Sequence, residues 1–450
     1  MTRPPDVSYA RSGDVAIAYQ RIGDGDRDIV FARGFTGDLL STWEQPLLVR
    51  HVMGLAGIGR VLLMDRRGTG LSDRTREVPS VESSMDDIRA VMDHARSEQA
   101  VIWTGGTATG IAALYAATYP ERVAGLVLFD PRARGSATTD YPWAPSEADQ
   151  RERLRRIHAH WGEREFMEDL AQELAPERAD DPDFREWLVW HLRRSLSPGA
   201  AVTAARFEAE LDLRDALSAV RVPTLLLAHP ARPAPAYYIA GKIKGANVIE
   251  LPALEGIYTW VDDACHEATM NATAEFISQL GGATEPGPVL ATLMLTDIEA
   301  STELVTRVGD AEWGKLIERH HSIVRTILAR HAGREIDTAG DGFFASFEGP
   351  TRAVLAAIQI VDAVEAIGVS VRVGLHTGQF EVADGKLAGL GVSIGARIAA
   401  MARGGEVLTS GAVRELVASP DVEFEERGTH QLKGIPGEWR IFAAHASRHL

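Results

Sequence analysis

Short, almost unbroken apolar runs recur through the first 250 residues and restrict the fold more than any other feature. They lie at residues 28–32, 60–64 (RVLLM), 100–104 (AVIWT), 123–129 (VAGLVLF), 224–228 (TLLLA) and 247–251. A strand with one face in water alternates apolar and polar side chains, whereas a strand covered on both faces does not. These runs, separated by helical stretches, predict a mostly parallel sheet with helices on both faces. Between residues 146 and 220 the chain is rich in Glu, Arg, Leu and Trp and no strand run interrupts it. That stretch predicts a helical cap over the sheet.

The pattern stops at Gly281-Gly282-Ala283-Thr284-Glu285-Pro286-Gly287-Pro288, which has no apolar periodicity. Gly and Pro favour a linker there, so the reading is two domains, 1–280 and 289–450, joined by 281–288. A length of 450 residues fits two or three domains. The second domain reads as a strand (289–295), a helix (311–331), a hairpin strand (342–347), a helix (352–367) and a strand (369–376). With a strand before the 342–347 run, this is a βαββαβ order, an α+β, ferredoxin-like arrangement.

A formal net charge of −16 argues against a basic nucleic-acid footprint for the whole protein. It does not bar a nucleotide, because metal ions bridge phosphates to carboxylates. Cys265 is the single cysteine, so no intramolecular disulfide can form, which suits a reducing cytoplasm. The opening MTRPPDVSYARSGD lacks a signal-peptide apolar run, and no stretch reaches the roughly 18–20 apolar residues of a membrane span. The expectation is a cytoplasmic protein with no membrane span.

Two motifs in the first domain, DRRGTGLSDR (Asp65–Arg74) and AATYPERVAGLVLFD (Ala116–Asp130), resemble the α/β-hydrolase family. The resemblance covers most of residues 7–280 and implies that fold. Its chemistry needs a nucleophile in a Gly-x-Ser-x-Gly elbow. Here the turn reads Thr104-Gly105-Gly106-Thr107-Ala108-Thr109-Gly110. Gly106 takes the nucleophile position by an ungapped count and Thr107 by a one-residue slip; neither is serine. After 224–228, where the acid belongs, the chain reads His229-Pro230-Ala231-Arg232-Pro233, with no carboxylate. Glu255-Gly256 stands where the family has its histidine, and His229 and His266 are out of register. A triad works as a unit, so a serine hydrolase is not expected. A pocket for a small-molecule ligand, or a scaffold role, remains open.

In the second domain, Asp297 closes an apolar run and Asp341 sits in a Gly-Asp-Gly turn. Two carboxylates converging at a sheet edge are a usual way to hold divalent cations against a triphosphate. With VRVGLHTG (Val371–Gly378), GARIA (Gly395–Ala399), GGEVL (Gly404–Leu408) and Leu432-Lys433-Gly434, the domain resembles the class III adenylate and guanylate cyclase catalytic domain. The resemblance implies two Mg²⁺ or Mn²⁺ ions on Asp297, Asp341 and the Ile298 carbonyl. It implies that Arg397 stabilises charge on the transferring phosphoryl group, and that Lys433 and Arg372 contact phosphate. It also implies a homodimer whose active sites lie at the subunit interface, with ATP, or alternatively GTP, as substrate.

Two positions depart from that pattern. Asp337 stands where the family's adenine-selecting lysine lies, and Lys386 where its partner aspartate lies. The two may be taken as an ion pair indifferent to the base, as a guanine-reading pair, or as a misaligned loop in which Asp384 reads the base. If both are buried, the pairing itself is required, since an unpartnered buried charge costs several kcal/mol. Ser393 replaces the asparagine, or histidine, four residues before Arg397, which implies a slow enzyme rather than a dead one.

Overall fold

The computed structural model describes residues 4–34, 36–75, 79–281, 288–383, 386–417 and 419–447, with only the backbone of 107, 339, 382, 383 and 386. The chain divides into two compact units, Met1–Pro286 and Gly287–Leu450. Most of the 281–288 stretch read as a linker lies outside the described residues. No helix among the described residues is long and apolar enough to cross a membrane.

The first unit holds strands β1 (Val7–Ser12), β2 (Val15–Ile22), β3 (Asp28–Ala32), β4 (Arg60–Met64), β5 (Ala100–Gly105), β6 (Val123–Phe129), β7 (Thr224–Ala228) and β8 (Asn247–Glu250). They form one sheet in the order β1-β2-β4-β3-β5-β6-β7-β8. Its pairs from β4 to β8 are all parallel, and β1 and β2 join antiparallel at one edge. Every residue of β3, β6 and β7 is buried, which is why those strands read as unbroken apolar runs. The run-based reading omits the edge strand β1 and its neighbour β2, whose sequences mix polar residues with apolar ones.

Four helices, Glu147–His160, Arg164–Leu174, Pro182–Ser195 and Pro198–Glu210, form the cap segment. Their starts are set locally. Ser146 closes a capping box with Asp149, and Asp181 and Ser197 cap helices that have proline in the first turn. Trp161, Phe184, Trp187 and Leu192 of this segment are buried in one core with Phe31 and Trp103 of the sheet.

The second unit holds β9 (Val289–Ile298), β10 (Arg334–Ala339), β11 (Gly342–Phe347), β12 (Val371–Ala383), β13 (Lys386–Ala388), β14 (Val407–Ser410), β15 (Val422–His430) and β16 (Trp439–Ala446). The sheet order is β10-β11-β9-β12-β14-β16-β15, with β13 paired to β12. Helices Asp310–Arg330 and Pro350–Glu365 follow β9 and β11, giving the βαββαβ order. Their apolar faces enter one core through Val324, Leu328, Val354 and Ile360. The helix Leu390–Met401 packs on β12 so closely that a Cβ on Gly374 would lie 2.3 Å from the Ala399 nitrogen. Only glycine permits that approach, and it fixes the helix that carries Ser393 and Arg397.

Candidate active site

Asp297 is the last but one residue of β9, and the ladder sets Arg372 of β12 directly opposite it. The facing side chains meet: Arg372 Nε donates to Asp297 Oδ2 at 3.0 Å, and its Nη2 reaches the same oxygen. Ile298, one residue on, has a buried side chain, so only its main chain can serve a ligand. Ala300, at φ +54°, then turns the chain into the helix Ser301–Val308.

Asp341 occupies the turn between β10 and β11. Phe343 pairs with Thr296 and donates its N–H to Thr296 Oγ1 at 3.1 Å, so the register carries this turn beside Asp297. Gly340 holds φ +64° and its carbonyl accepts from His321 Nε2 at 3.2 Å. Asp341 Oδ2 is buried and has no hydrogen-bond partner. A buried anionic oxygen without a donor needs a compensating group, and a divalent cation fits that need. Among the described residues no cluster of three or more His, Cys, Asp or Glu has the geometry to hold a metal.

A second group lies on the helix Leu390–Met401. Ser393 and Arg397, one turn apart, are both exposed on one face. Arg397 Nε donates to the Lys433 carbonyl at 3.2 Å, which joins the arginine to the loop between β15 and β16. Leu432 anchors that loop by burial with Ile394 and Ile398. The Lys433 side chain is exposed. Leu390 and Met401, at 54% and 37% exposure, are large apolar side chains left uncovered on the same helix.

Of the two residues in the reversed pair, Asp337 does not meet the condition of burial. Asp337 is exposed beside a register shift in β10, and its Oδ1 accepts from the Thr338 N–H at 3.0 Å. The burial that would have required an ion pair is absent. Lys386 opens β13 opposite Ala383; its side chain, and Asp384 altogether, lie outside the described residues.

Sequence reasoning missed the support around the β10–β11 turn. Glu335 takes a bidentate ion pair from Arg325 and a hydrogen bond from Thr338, which hold its carboxyl down at about 2. His320, fully buried against Phe343, has no partner for either ring nitrogen, and burial, with His321 beside it, lowers its pKa to about 4. A histidine on a helix carries no sequence signal for such a position.

In the first unit the structure resolves the elbow. The residue in the left-handed region at the end of β5 is Gly106, φ +59°, so the nucleophile position has no side chain. His229 follows β7, donating from Nε2 to the Gly256 carbonyl at 2.8 Å and accepting from the Ala231 N–H at 3.1 Å. At the histidine position, a Cβ on Gly256 would lie 2.5 Å from the Leu174 carbonyl oxygen. The cap fills that space, and Glu177 Oε1 accepts from the N–H groups of Glu255 and Gly256. Asp130, at the end of β6, is a carboxylate near the elbow that the sequence reading overlooked, but Arg232 binds it bidentately at 2.8–3.1 Å. A cavity of about 410 Å³ remains, lined by Gly105, Gly106, Trp103, Ile157, Trp260 and others.

Comparison with known proteins places names on both units. Residues 29–210 match the family model of the alpha/beta hydrolase fold, and residues 289–446 that of the adenylate and guanylate cyclase catalytic domain. A putative adenylate cyclase 3 of Rhizobium meliloti is 29% identical over 155 residues, 32% of this chain and 26% of that protein. An uncharacterized protein of Mycobacterium tuberculosis is 29% identical over 159 residues, 34% of this chain and 55% of that protein. The chain thus spans between about a quarter and about half the length of these curated relatives. A bromoperoxidase from Bacillus anthracis covers 61% of this chain and 100% of its own at 19% identity and TM-score 0.52, a likeness of fold alone. The chain therefore joins an α/β-hydrolase domain without a triad to a class III nucleotide cyclase catalytic domain at its C-terminal side.

Proposed function

We propose that the second unit is an adenylate cyclase that converts ATP to 3′,5′-cyclic AMP and pyrophosphate. The observation that carries this reading is the pair Asp297 and Asp341 at one end of the β9–β11 ladder, with Asp341 Oδ2 buried and unpartnered. Two Mg²⁺ or Mn²⁺ ions, when bound, would acidify the ribose 3′-hydroxyl and spread the charge that grows at the α-phosphorus. Asp297, Asp341 and the Ile298 carbonyl would hold them. Arg372 would exchange Asp297 for a phosphate oxygen, and Lys433 would hold the terminal phosphates. Arg397 would stabilise the transferring phosphoryl group, with Ser393 helping to orient the ribose. Positioning and electrostatics supply most of the rate in such a reaction.

The exposure of Ser393, Arg397, Leu390 and Met401 on one helix supports a homodimer in which each site draws residues from both copies. A guanylate or unselective purine cyclase is the second reading, favoured by Asp337, an exposed acceptor suited to the N1–H and 2-amino group of guanine. A nucleotide-binding protein without turnover is the alternative outside the enzyme class.

The test is product formation from ATP and from GTP, each with Mn²⁺ and with Mg²⁺, beside Asp297→Ala. Cyclic AMP lost in the variant supports the adenylate reading. Preference for GTP that Asp337→Lys reverses supports the guanylate reading. Absence of product from both nucleotides defeats the cyclase reading.

A further inference from the structure

Asp341 sits in a hairpin turn of two residues, and one neighbour decides how that turn is built. Ala339 pairs with Gly342, so the loop between β10 and β11 is Gly340-Asp341 alone. Gly340 holds φ +64°, while the φ of Asp341 is not positive. A two-residue loop with φ positive at its first residue only is a type II′ turn, whereas type I′ has it positive at both. The two differ by a flip of the central peptide, whose oxygen here is the Gly340 carbonyl. A flip would carry Asp341 into the left-handed region, which aspartate tolerates better than most residues, and would re-aim its carboxylate.

Two tendencies oppose each other at this turn. The preference of an L residue for negative φ favours type II′. The observed placement also leaves Asp341 Oδ2 buried without a donor, a cost of similar size that a flip towards water would relieve. With these two close to balance, a third contact decides. His321 supplies it: its Nε2 donates to the Gly340 carbonyl at 3.2 Å, an acceptor that the flipped peptide would turn away.

His321 is itself held in place. Its ring meets Phe343 of β11 edge-on, with centroids 5.1 Å apart. One turn further along the helix Asp310–Arg330, Arg325 lies over the same ring at 5.6 Å and pairs with Glu335 of β10. The helix thus grips both strands of the hairpin and brings one donor to its tip. The hydrogen bond lies at the surface, where water competes for both groups, so its worth to the stability of the unit is small. What it controls is direction.

We propose that His321 is a positioning residue: by holding the Gly340–Asp341 peptide in the type II′ orientation, it keeps the Asp341 carboxylate aimed at the divalent cation. The proposal rests on the reading of Asp341 as a metal ligand and adds the residue that presents it.

The test compares the full chain with His321→Phe, His321→Gln and Asp341→Ala. Mn²⁺ binding is read from water-proton relaxation, with Mn²⁺ alone and with α,β-methylene-ATP, whose bridging carbon blocks the loss of pyrophosphate, so that no turnover is needed. The parent should bind Mn²⁺ and Asp341→Ala should lose most of that affinity. His321→Phe keeps an aromatic ring against Phe343 and removes the donor; it should bind Mn²⁺ about five- to tenfold more weakly, the worth of one hydrogen bond. His321→Gln, whose amide can donate, should recover most of the loss. Both His321 variants should melt within about 4 °C of the parent by calorimetry, so that the lost affinity is not lost folding. Parental Mn²⁺ affinity in His321→Phe, beside a loss in Asp341→Ala, would overturn the proposal and leave the metal reading standing. Equal loss in His321→Phe and His321→Gln, or a larger fall in melting temperature, would overturn it in favour of a structural role. A parent that binds no Mn²⁺ under either condition would overturn the metal reading and this proposal with it.

Discussion

Ser393 is where one side chain should set the speed of the cyclase unit. It shares an exposed helix face with Arg397, yet its hydroxyl reaches less far than the carboxamide that the cyclase pattern places there. Ser393→Asn is expected to raise kcat about tenfold or more with KM little changed, since a single transition-state contact is worth a factor of this size or greater. Steady-state kinetics of both proteins checks this. His320 makes a different prediction. Its folded pKa of about 4 lies below the ordinary value of 6.5, so the unfolded chain binds the extra proton. Stability from this site is full above pH 6.5 and is lost as pH falls towards 4. His320→Phe should therefore raise the melting temperature by about 2–4 °C at pH 5 and by less at pH 7, read by calorimetry. Sequence and structure differ in what they disclose at this scale. Asp297, Asp341, Arg397 and Lys433 can be nominated from the sequence because short motifs surround them. His320 cannot, because its significance is burial without partners, which only the packed chain reveals.

At the scale of elements, the cap and the loop after β8 behave as one piece. Ile257 donates its N–H to the Leu174 carbonyl at 2.9 Å, and Glu177 caps the two amides before it. Gly256→His should therefore separate the cap from the sheet rather than restore a triad. The expected cost is about 2 kcal/mol or more, typical of overpacking with loss of buried hydrogen bonds, measured by denaturant unfolding. Gly106→Ser is milder: no atom lies within 4 Å of the added Cβ, and the left-handed φ is the main cost, about 1–2 kcal/mol. Neither variant should hydrolyse phenyl esters above the parent protein. The buried strands of the first sheet were legible as apolar runs, and so was the helical cap. The edge strand β1 and its neighbour β2 were not, because mixed polar sequence leaves no period that separates a strand from a loop.

At the scale of the whole molecule, the cyclase reading requires that each site draw Asp297 from one copy and Arg397 from another. Asp297→Ala and Arg397→Ala proteins, each inactive, should regain about a quarter of parental activity when mixed in equal amounts, because half of random dimers are mixed and each mixed dimer has one intact site of two. No recovery after mixing, with dimers confirmed by sedimentation, would place the whole site within one copy. The change of pattern near residue 281 made two units legible from composition, whereas the cavity and the closed histidine position could be found only in three dimensions. The carbonyl of Leu174, standing where a Cβ at Gly256 would go, has a historical meaning as well. A lineage that lost its serine alone could regain it by one change. With the third position taken up by main chain, a returning serine confers no advantage, and each further adjustment of the cap makes return harder. Serine-hydrolase chemistry is thus barred in this unit by the course of its main chain as well as by the absent serine.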